Sequence, residues 1–264
     1  MKERLDVILV NNGLASSRDN AKRTIMAGLV TVDGIVETKS AQKFDVDSEF
    51  KVKDKLLKYV SRGGLKLEKA IQSFNIKLNG CYAVDMGAST GGFTDCMLMN
   101  GALKVYALDV GYGQLDYKLR VDPRVINMEK TNIRYLDTTL IEEPIDFISI
   151  DVSFISLRHM FPVASKILKD TGAVMCLIKP QFEAGREQVG KKGIVRDSKI
   201  HVEVIENVIS YASDNGLFPH GLDYSPVKGT KGNIEYLLYL KKTESSEEIS
   251  PQEVVNIAHG ELDY

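Results

Sequence analysis

Four charged side chains stand in stretches that would otherwise form an apolar core. The four residues are Lys66, Asp151, Lys179 and Glu235. Asp151 and Lys179 each end an apolar run that is typical of a buried strand, and Glu235 lies inside another such run. A lone lysine or glutamate is usually an ordinary surface residue, but the joint pattern predicts a site. Since the ends of neighbouring parallel strands meet at one edge of a sheet, we expect Asp151 and Lys179 to lie close together.

Two lysines beside two carboxylates are suited to removing a proton from a weakly acidic hydroxyl. A neutral lysine amine can accept that proton while the oxygen attacks an electrophile, and burial or a second nearby cation favours the neutral amine. We predict Lys179 as the base, with Lys66 as the second cation. Asp151 would orient the base, and Glu235 would hold Lys66 or the reacting hydroxyl in place.

A glycine-rich segment, residues 85–93 (DMGASTGGF), follows an apolar run and opens a predicted helix. Glycines allow the backbone to turn tightly and to approach a ligand, and open α/β sheets bind ligands at the carboxyl ends of their strands. The spacing is neither that of a dinucleotide site nor that of a P-loop. Asp85 at the strand end would repel a pyrophosphate, but it suits a ligand that carries an ammonium group. We therefore predict S-adenosylmethionine, which carries an amine and a sulfonium, as the cofactor.

Two further residues extend the predicted cofactor site. Asp109 ends the next apolar run, where a carboxylate can accept hydrogen bonds from both hydroxyls of a ribose. Asn132 follows the presumed third strand and could bond to the edge of the adenine. The alternative is a plain strand-to-helix turn with two acidic strand ends. The predicted cofactor-binding residues are Asp85, Gly87, Ser89, Gly91, Gly92, Phe93, Asp109 and Asn132.

The segments around these residues alternate between strand-like and helix-like patterns. Strand-like runs cover residues 82–85, 105–109, 146–151 and 173–178, and helix-like runs such as 92–99 and 157–168 lie between them. This alternation predicts a mostly parallel sheet with helices on both faces, and the apolar run 234–240 is the candidate for an antiparallel edge strand. The first 58 residues differ, because they predict two short helices and a hairpin that turns at Asp33-Gly34, which is a small α+β module.

Composition and charge limit the possible partners. The 264 residues suffice for two domains, and 44% hydrophobic with 27% charged residues predicts a folded chain. The net charge of -2 gives no general attraction to nucleic acid, but basic residues cluster locally and acidic residues gather after Lys242, so separate basic faces remain. The three cysteines lack metal-ligand spacing, so we expect no metal. No apolar run suits a membrane span or a secretory signal, so we expect a cytoplasmic protein without membrane contact.

Basic residues in several places are candidates for RNA contact. Arg18, Lys22 and Arg23 occupy adjoining faces of one predicted helix, which could lie along a phosphate backbone, although an ordinary solvated face is the alternative. The loop 181–197 carries basic residues beside Lys179, and we expect a mobile loop that grips the target strand. The predicted RNA-binding residues are Arg4, Arg18, Lys22, Arg23, Arg62, Arg186, Lys191 and Lys192.

The amino-terminal strings resemble a known RNA-binding domain. RLD at 4–6, ASSRDNA at 15–21 and IMAGLVTVDG at 25–34 are similar, in this order, to the S-four domain first seen in a small-subunit ribosomal protein. The resemblance implies that the helical face binds structured RNA, and it does not imply catalysis.

The remaining strings resemble the TlyA family of FtsJ-like ribose 2′-O-methyltransferases, whose members are often labelled haemolysins. They are SRGGLKL at 61–67, DMGASTGGF at 85–93, the run 146–155, IKPQFE at 178–183 and the run 229–235, and they follow the family's order. The resemblance implies methylation of a ribose 2′-hydroxyl, that of a cytidine, in ribosomal RNA within ribosomal subunits. The family's Lys-Asp-Lys-Glu tetrad would then be the four charged residues described first.

The same resemblance implies a Rossmann-like class I methyltransferase sheet, an α/β fold with helices on both faces, preceded by a small α+β RNA-binding domain. The implied bounds are 1–58 for the S-four domain, 59–62 for a linker, 63–242 for the methyltransferase domain and 243–264 for an acidic tail. Three other functions remain open at this point: a non-catalytic RNA-binding or ribosome-assembly protein, a pore-forming haemolysin and a pseudouridine synthase. A tetrad scattered in space would favour the first, and lysis by the purified protein the second. The glycine-rich turn is evidence against the third.

Overall fold

A computed structural model describes residues 2–15, 17–52, 58–246 and 249–262, and the chain divides into two compact units, residues 1–58 and 59–264. Position 16 of the S-four-like strings and positions 247–248 and 263–264 of the predicted acidic tail lie outside the described residues. Within the described ranges, no helix is both long and apolar enough to span a membrane.

The described part of the first unit is a small α+β domain. Its helices are α1 (Leu5–Asn11) and α2 (Arg18–Met26), and its strands are β1 (Lys2–Arg4), β2 (Val30–Val32), β3 (Ile35–Glu37), β4 (Lys43–Asp45) and β5 (Phe50–Val52). β1 pairs with β4, and β2 pairs with both β3 and β5, all antiparallel. The β2–β3 hairpin turns at Asp33 and Gly34 with φ of 51° and 82°, as a type I′ turn requires. Leu5, Leu9 and Ile25 are fully buried between the helices and the sheet.

The described residues of the second unit form a seven-stranded sheet. Its strands are β6 (Tyr82–Met86), β7 (Lys104–Leu108), β8 (Val125–Met128), β9 (Ile145–Ile150), β10 (Leu168–Ile178), β11 (Phe218–Tyr224) and β12 (Tyr236–Lys241). In space the order is β11-β12-β10-β9-β6-β7-β8. The five strands from β10 to β8 are parallel, and β12 is antiparallel to both β10 and β11. The predicted mostly parallel sheet is therefore confirmed.

Helices cover both faces of this sheet. They are α3 (Gly63–Ser73), α4 (Gly92–Met99), α5 (Tyr117–Arg120), α6 (Phe161–Ile167), α7 (Pro180–Glu183), α8 (Ser198–Ser213) and α9 (Pro251–Glu261). α6, α8 and α9 contribute to the core on one face, and α3, α4 and α5 contribute to the core on the other. Because successive side chains of a strand point to opposite faces, the neighbours Phe147 and Ile148 of β9 belong to different cores. Both faces of the central strands are buried, which explains their nearly continuous apolar sequences.

The sheet edge beyond β12 differs from the prediction. The apolar run 234–240 contains an antiparallel strand, β12, but β11 lies outside it and forms the edge. β11 contains Pro219 and Gly221, which are uncommon in strands, so its sequence lacks an alternating apolar signal. An edge strand tolerates such residues because one of its sides makes no ladder of hydrogen bonds.

The ends of the second unit also differ from the predicted bounds. Tyr59 and Val60 of the predicted linker are buried in the same core as α3. In the predicted acidic tail, α9 packs against α8, and its Val255 and Ala258 are fully buried. Both segments therefore belong to the second unit.

Candidate active site

Adjacent strands bring the predicted site residues to one edge of the sheet. β10, β9 and β6 are neighbours, and Lys179, Asp151 and Gly87 directly follow them. β12 runs in the opposite direction, so Glu235, the residue before it, reaches the same edge. Lys66 comes from the first turn of α3. The structure therefore brings the four charged residues together, although Lys66 and Glu235 are 169 positions apart.

The four charged side chains form a row of alternating sign. Lys66 Nζ lies 2.6 Å from Glu235 Oε2 and 3.9 Å from Asp151 Oδ2. Lys179 Nζ lies 2.5 Å from Asp151 Oδ1 and donates a hydrogen bond of 2.9 Å to Ser153 Oγ. Asp151 Oδ1 accepts no hydrogen bond from Lys179 Nζ, although the two atoms are 2.5 Å apart. The attraction between the two charges therefore holds this pair. We call Lys66, Asp151, Lys179 and Glu235 the tetrad.

The tetrad is largely shielded from solvent. The exposed fraction of the side chain is 3% for Glu235, 10% for Lys179 and 12% for Lys66. Charge attraction is stronger in such surroundings than in water, and two cations with two anions leave no net charge to bury. Removing one member would leave its partner unpaired, so the four side chains hold one another in place.

Two adjoining cavities meet at the tetrad. The first, the tetrad cavity, has a volume of about 410 Å³ and is lined by the tetrad together with Arg62, Gly92 and Phe93. The second, the apolar cavity, has a volume of about 320 Å³ and is lined by Asp109, Asn132 and several apolar side chains. Both cavities are lined by Gly87, Ser89, Asp151 and Ser153. A ligand that fills the apolar cavity would therefore end beside the tetrad.

The glycine-rich turn after β6 lines both cavities. Gly87 has a φ of 90°, and a side chain there would place its Cβ 2.4 Å from the carbonyl oxygen of Asp151. Glycine is needed at this position, because any Cβ would push the ends of β6 and β9 apart. Ser89 also has a positive φ, 49°, and its backbone N–H donates to Asp109 Oδ2 at 2.8 Å.

Asp85 and Gly91 line neither of these cavities, so the predicted contact of Asp85 with a ligand ammonium needs correction. The Asp85 carboxylate is fully buried and accepts hydrogen bonds of 2.6–3.0 Å from Thr94 N, Thr94 Oγ1 and Ser149 Oγ. Burial raises the pKa of Asp85 to about 6. The side chain turns inward because Thr94 and Ser149 satisfy its oxygens, so it anchors the turn to α4. Gly91, with a φ of 92°, is the N-cap residue before α4 and packs against Leu119.

The apolar cavity has groups that suit a nucleoside with a cationic substituent. Asp109 Oδ1 accepts from Gly111 N and Oδ2 from Ser89 N, and each oxygen has a second lone pair that a ribose hydroxyl could use. Ile133 and Val152 are among the apolar side chains that could cover a flat base. At the inner end, Asp151 supplies a negative charge. The acceptors, the apolar side chains and the negative charge of this cavity therefore fit S-adenosylmethionine.

Several residues of the two cavities were not anticipated from the sequence. In the apolar cavity they are Val110, Gln114, Ile133, Val152, Phe154, Ile155 and Met160, and in the tetrad cavity Ser61, Gly63, Ala88, Thr90, Ser153, Val227, Lys228 and Gly229. The run 152–155 directly follows the strand end at Asp151, so the position of that strand end was an available signal. The run 227–229 lies between β11 and Glu235, and its place depends on the edge strand that the pattern did not reveal.

In the first unit, two arginines share one buried carboxylate. Arg4 donates to Asp6 Oδ1 and Oδ2 at 2.9 and 3.0 Å, and Arg18 donates to Oδ2 at 3.1 Å. Asp6 is fully buried, whereas the side chains of Arg4 and Arg18 stay 36% and 55% exposed. The hydrogen bond from Arg4 lowers the pKa of Asp6 to about 2. The other candidates for RNA contact in this unit, Lys22 and Arg23, lie on α2 with Arg18.

Backbone hydrogen bonds shape the basic loop after α7, for which we predicted mobility and RNA contact. Gly190 N donates to Ile194 O at 3.1 Å and Gly193 N donates to Gly190 O at 2.7 Å, which closes a tight turn. Lys191 and Lys192 are exposed at its tip, and we call residues 190–193 the dibasic turn. Of the remaining candidates for RNA contact, Arg186 is exposed in the preceding 3-10 turn and Arg62 lines the tetrad cavity.

Comparisons with known proteins agree with this architecture. The family model described as FtsJ-like methyltransferase matches residues 59–242, and the one described as S4 domain matches residues 3–49. The chain is 49% identical over 260 residues, 97% of this chain and 92% of the relative, to a candidate rRNA methyltransferase, YqxC, of Bacillus subtilis. It is 39% identical over 259 residues, 98% of this chain and 96% of the relative, to the 16S/23S rRNA (cytidine-2′-O)-methyltransferase TlyA of Mycobacterium tuberculosis.

A solved structure extends the likeness to both units. It is that of a candidate hemolysin from Streptococcus thermophilus, with a TM-score of 0.79 and 51% identity, covering 98% of this chain and 96% of that one. The family resemblance drawn from the sequence strings is thereby confirmed. The chain belongs to the FtsJ-like methyltransferase family, in the TlyA group that carries an S4 domain ahead of the methyltransferase domain.

Proposed function

We propose that this protein transfers the methyl group of S-adenosylmethionine to the 2′-hydroxyl of a cytidine in ribosomal RNA within ribosomal subunits, and that it does so in the cytoplasm. The observation that carries the proposal is the junction of the two cavities, where the tetrad adjoins a site suited to a charged nucleoside. Membership of the methyltransferase family supports the reaction class. The name of the M. tuberculosis relative supports the substrate.

Residues of the apolar cavity would hold the cofactor. Asp109 would accept hydrogen bonds from the ribose hydroxyls, and Asn132 would lie near the adenine. Gly87 and Ser89, which line both cavities, would contact the part of the cofactor that reaches the tetrad. When bound, S-adenosylmethionine supplies an electrophilic methyl group.

Lys179 is the base in this proposal. The Lys179 ammonium would first release a proton to solvent, and the neutral amine would then take the proton of a ribose hydroxyl in the tetrad cavity as the hydroxyl oxygen bonds to the methyl carbon. The hydrogen bond to Ser153 Oγ at 2.9 Å fixes the direction of that amine, and Asp151, 2.5 Å away, holds it in place by charge. Lys66, held by Glu235 at 2.6 Å, fixes the other oxygen of Asp151 from 3.9 Å. Much of the rate would come from this positioning of the oxygen against the methyl carbon.

The tetrad cavity also constrains the form of the RNA. The tetrad side chains are only 3–20% exposed, so the ribose of a nucleotide stacked in a helix would not reach them. We propose that the target nucleotide is unpaired or flipped out of its stack. Arg62, at the cavity wall, is positioned to contact a neighbouring phosphate.

The first unit would bind the RNA without dependence on its base sequence. Asp6 holds the guanidinium groups of Arg4 and Arg18 close together on the surface. Paired guanidinium groups are well suited to phosphate oxygens, because each offers several donors in a fixed plane. With Lys22 and Arg23 on α2, they would form the phosphate-binding face of this unit.

The test is methyl incorporation into purified 30S and 50S subunits that lack the modification, with labelled S-adenosylmethionine. The wild-type protein should label the RNA of a subunit, and Lys66→Ala should reduce the rate about 100-fold or more. Lys77→Ala is the matched control, because Lys77 is exposed, hydrogen-bonds Asn75 and lines neither cavity. Absence of label from both subunits with the wild-type protein would refute the proposal.

A further inference from the structure

Asn233 is a buried polar side chain close to the tetrad. It is 2% exposed and lies two positions before Glu235. Its Nδ2 donates to Gly193 O at 3.0 Å, and its Oδ1 accepts from Val195 N at 3.2 Å. One carboxamide therefore binds two backbone positions at the carboxyl end of the dibasic turn.

The backbone beyond the turn is fixed from a second side. Val195 is fully buried, and its carbonyl oxygen lies 3.0 Å from Nε2 of His201, a buried residue of α8. The turn itself is closed by the hydrogen bonds of Gly190. Because these contacts leave the turn little freedom, the position of Lys191 and Lys192 depends on the Asn233 carboxamide.

The same asparagine fixes the segment in front of Glu235. The backbone carbonyl oxygen of Asn233, as distinct from its carboxamide, accepts from Gly229 N at 2.8 Å. Gly229 packs directly on the catalytic carboxylate, since a Cβ at this position would lie 2.0 Å from Glu235 Oε1. Asn233 is therefore bonded on one side to the dibasic turn and on the other to the loop that packs against Glu235.

Positive charge gathers where the two segments meet. Lys191 and Lys192 are exposed on the turn, and Lys231 of the Gly229–Asn233 loop reaches it. Lys231 Nζ lies 3.3 Å from the place that a Cβ of Gly193 would take. Such a cluster attracts the phosphates of a nucleic acid, with no dependence on base sequence.

We propose that Asn233 is a positioning residue that sets the distance between a phosphate-binding dibasic turn and Glu235. A strand phosphate held by Lys191 and Lys192 then places the target ribose at the correct depth in the tetrad cavity. This inference rests on the proposed function, because it assigns an RNA strand to the turn. Asn233 itself touches neither substrate nor cofactor.

The expected effect follows from the two hydrogen bonds of the side chain. Each such bond contributes about fivefold to an equilibrium, so Asn233→Ala should raise the KM for ribosomal subunits roughly 10-fold or more. It should also lower kcat, because the loop that packs against Glu235 keeps its backbone bond at residue 233 but loses the two side-chain bonds that tie it to residues 193 and 195. Affinity for S-adenosylmethionine should stay within about twofold, since Asn233 lines neither cavity. Asn233→Ser keeps one polar group but is too short to bond both Gly193 O and Val195 N, so an intermediate KM is expected.

The decisive experiment is a double-mutant cycle on the full chain. Asn233→Ala, the pair Lys191→Ala with Lys192→Ala, and their combination are compared for subunit binding on filters, for KM and for kcat. If Asn233 acts through the turn, its effect on binding and KM disappears once the two lysines are gone, while its effect on kcat persists. Fully additive effects on KM would overturn the proposal, as would an Asn233→Ala variant with unchanged KM and kcat.

Two controls separate this result from a general loss of structure. Asn215→Ala removes a comparable bond, from Nδ2 to Tyr211 O at 2.8 Å beyond the end of α8, and should leave all three quantities unchanged. If Asn233→Ala is too unstable to assay, the Asn233→Ser variant carries the cycle, and additivity there would equally overturn the proposal. Filter binding does not require methyl transfer. A wild-type protein that binds subunits without methylating them would therefore refute the proposed function while the cycle still decides the role of Asn233.

Discussion

Replacing Lys179 by arginine separates the two roles that a lysine can have at this site. Arginine keeps a positive charge beside Asp151, but a guanidinium cannot act as a base, whereas the amine of a lysine can. If Lys179 is the base, Lys179→Arg should reduce the rate of methyl transfer about 10²- to 10⁴-fold, and Lys179→Ala should reduce it at least as much. If Lys179 supplies only charge, the arginine variant should keep most of the rate.

The structure allows the contribution of the charge to be estimated separately. Without Lys179, the Asp151 carboxylate keeps Lys66 Nζ at 3.9 Å and loses the amine at 2.5 Å. An interaction of this charged kind contributes about 1.5–3 kcal/mol, which corresponds to about 10- to 150-fold in rate. The alanine variant loses this contribution together with the base, whereas the arginine variant loses only the base. The ratio of the rates of the two variants therefore measures the contribution of the charge. The rate of the arginine variant relative to the wild type measures the contribution of the base.

The assay is a single-turnover measurement of methyl transfer to ribosomal subunits at saturating S-adenosylmethionine. Cofactor affinity is measured by calorimetry, and Lys179→Arg should change it by less than about threefold, because a charged group of similar reach remains. Lys169→Arg is the matched control, since Lys169 forms another lysine–aspartate pair, with Asp146 at 2.6 Å, that lines neither cavity. A Lys179→Arg rate within tenfold of the wild-type rate would refute Lys179 as the base.

Three further perturbations test other parts of the account. Gly229→Ala would place a Cβ 2.0 Å from Glu235 Oε1, so the Lys66–Glu235 ion pair should open. The single-turnover rate should then fall roughly 10-fold or more. An unchanged rate would contradict the role of that ion pair. Asp6→Asn removes the negative charge that holds Arg4 and Arg18. The affinity for ribosomal subunits, measured by filter binding, should fall roughly 10-fold, while the affinity for the cofactor stays unchanged. Equal subunit binding would contradict the role of this face of the first unit in binding phosphates. Burial lowers the pKa of His201 to about 4 from 6.5. Between these two pH values the unfolded chain binds more protons than the folded chain, so the free energy of unfolding falls as the pH drops. Urea unfolding at pH 5 should therefore show about 2 kcal/mol less stability from this group than at pH 7, and His201→Gln should remove that part of the difference.

The strand ends of the site could be predicted from sequence for a physical reason. The last four residues of β9 and the last six of β10 are buried, so these strand ends appear as mainly apolar runs, and Asp151 and Lys179 are the charged residues that end them. In a parallel sheet these ends must lie at one edge. Lys66 and Glu235 were harder to place, because only the tertiary fold joins α3 to the residue before β12. For these two, the family resemblance was the stronger signal.

Features that depend on side-chain partners could not be predicted in the same way. Asp85 points inward because Thr94 and Ser149 donate hydrogen bonds to its oxygens. The spacing of these residues in the sequence does not predict those hydrogen bonds. The dibasic turn is fixed by Asn233, some 40 positions further along the chain. β11 escaped detection because its proline and glycine hide the alternation on which strand prediction relies.

The position of the methyl group on the product nucleoside tests the central claim most directly. Ribosomal RNA from subunits treated with the protein and labelled S-adenosylmethionine is digested to nucleosides, and the labelled nucleoside is identified by mass spectrometry. A tetrad that takes a proton from a sugar hydroxyl predicts 2′-O-methylcytidine, with the mass of the methyl group on the ribose fragment. Label on the base fragment would contradict the account.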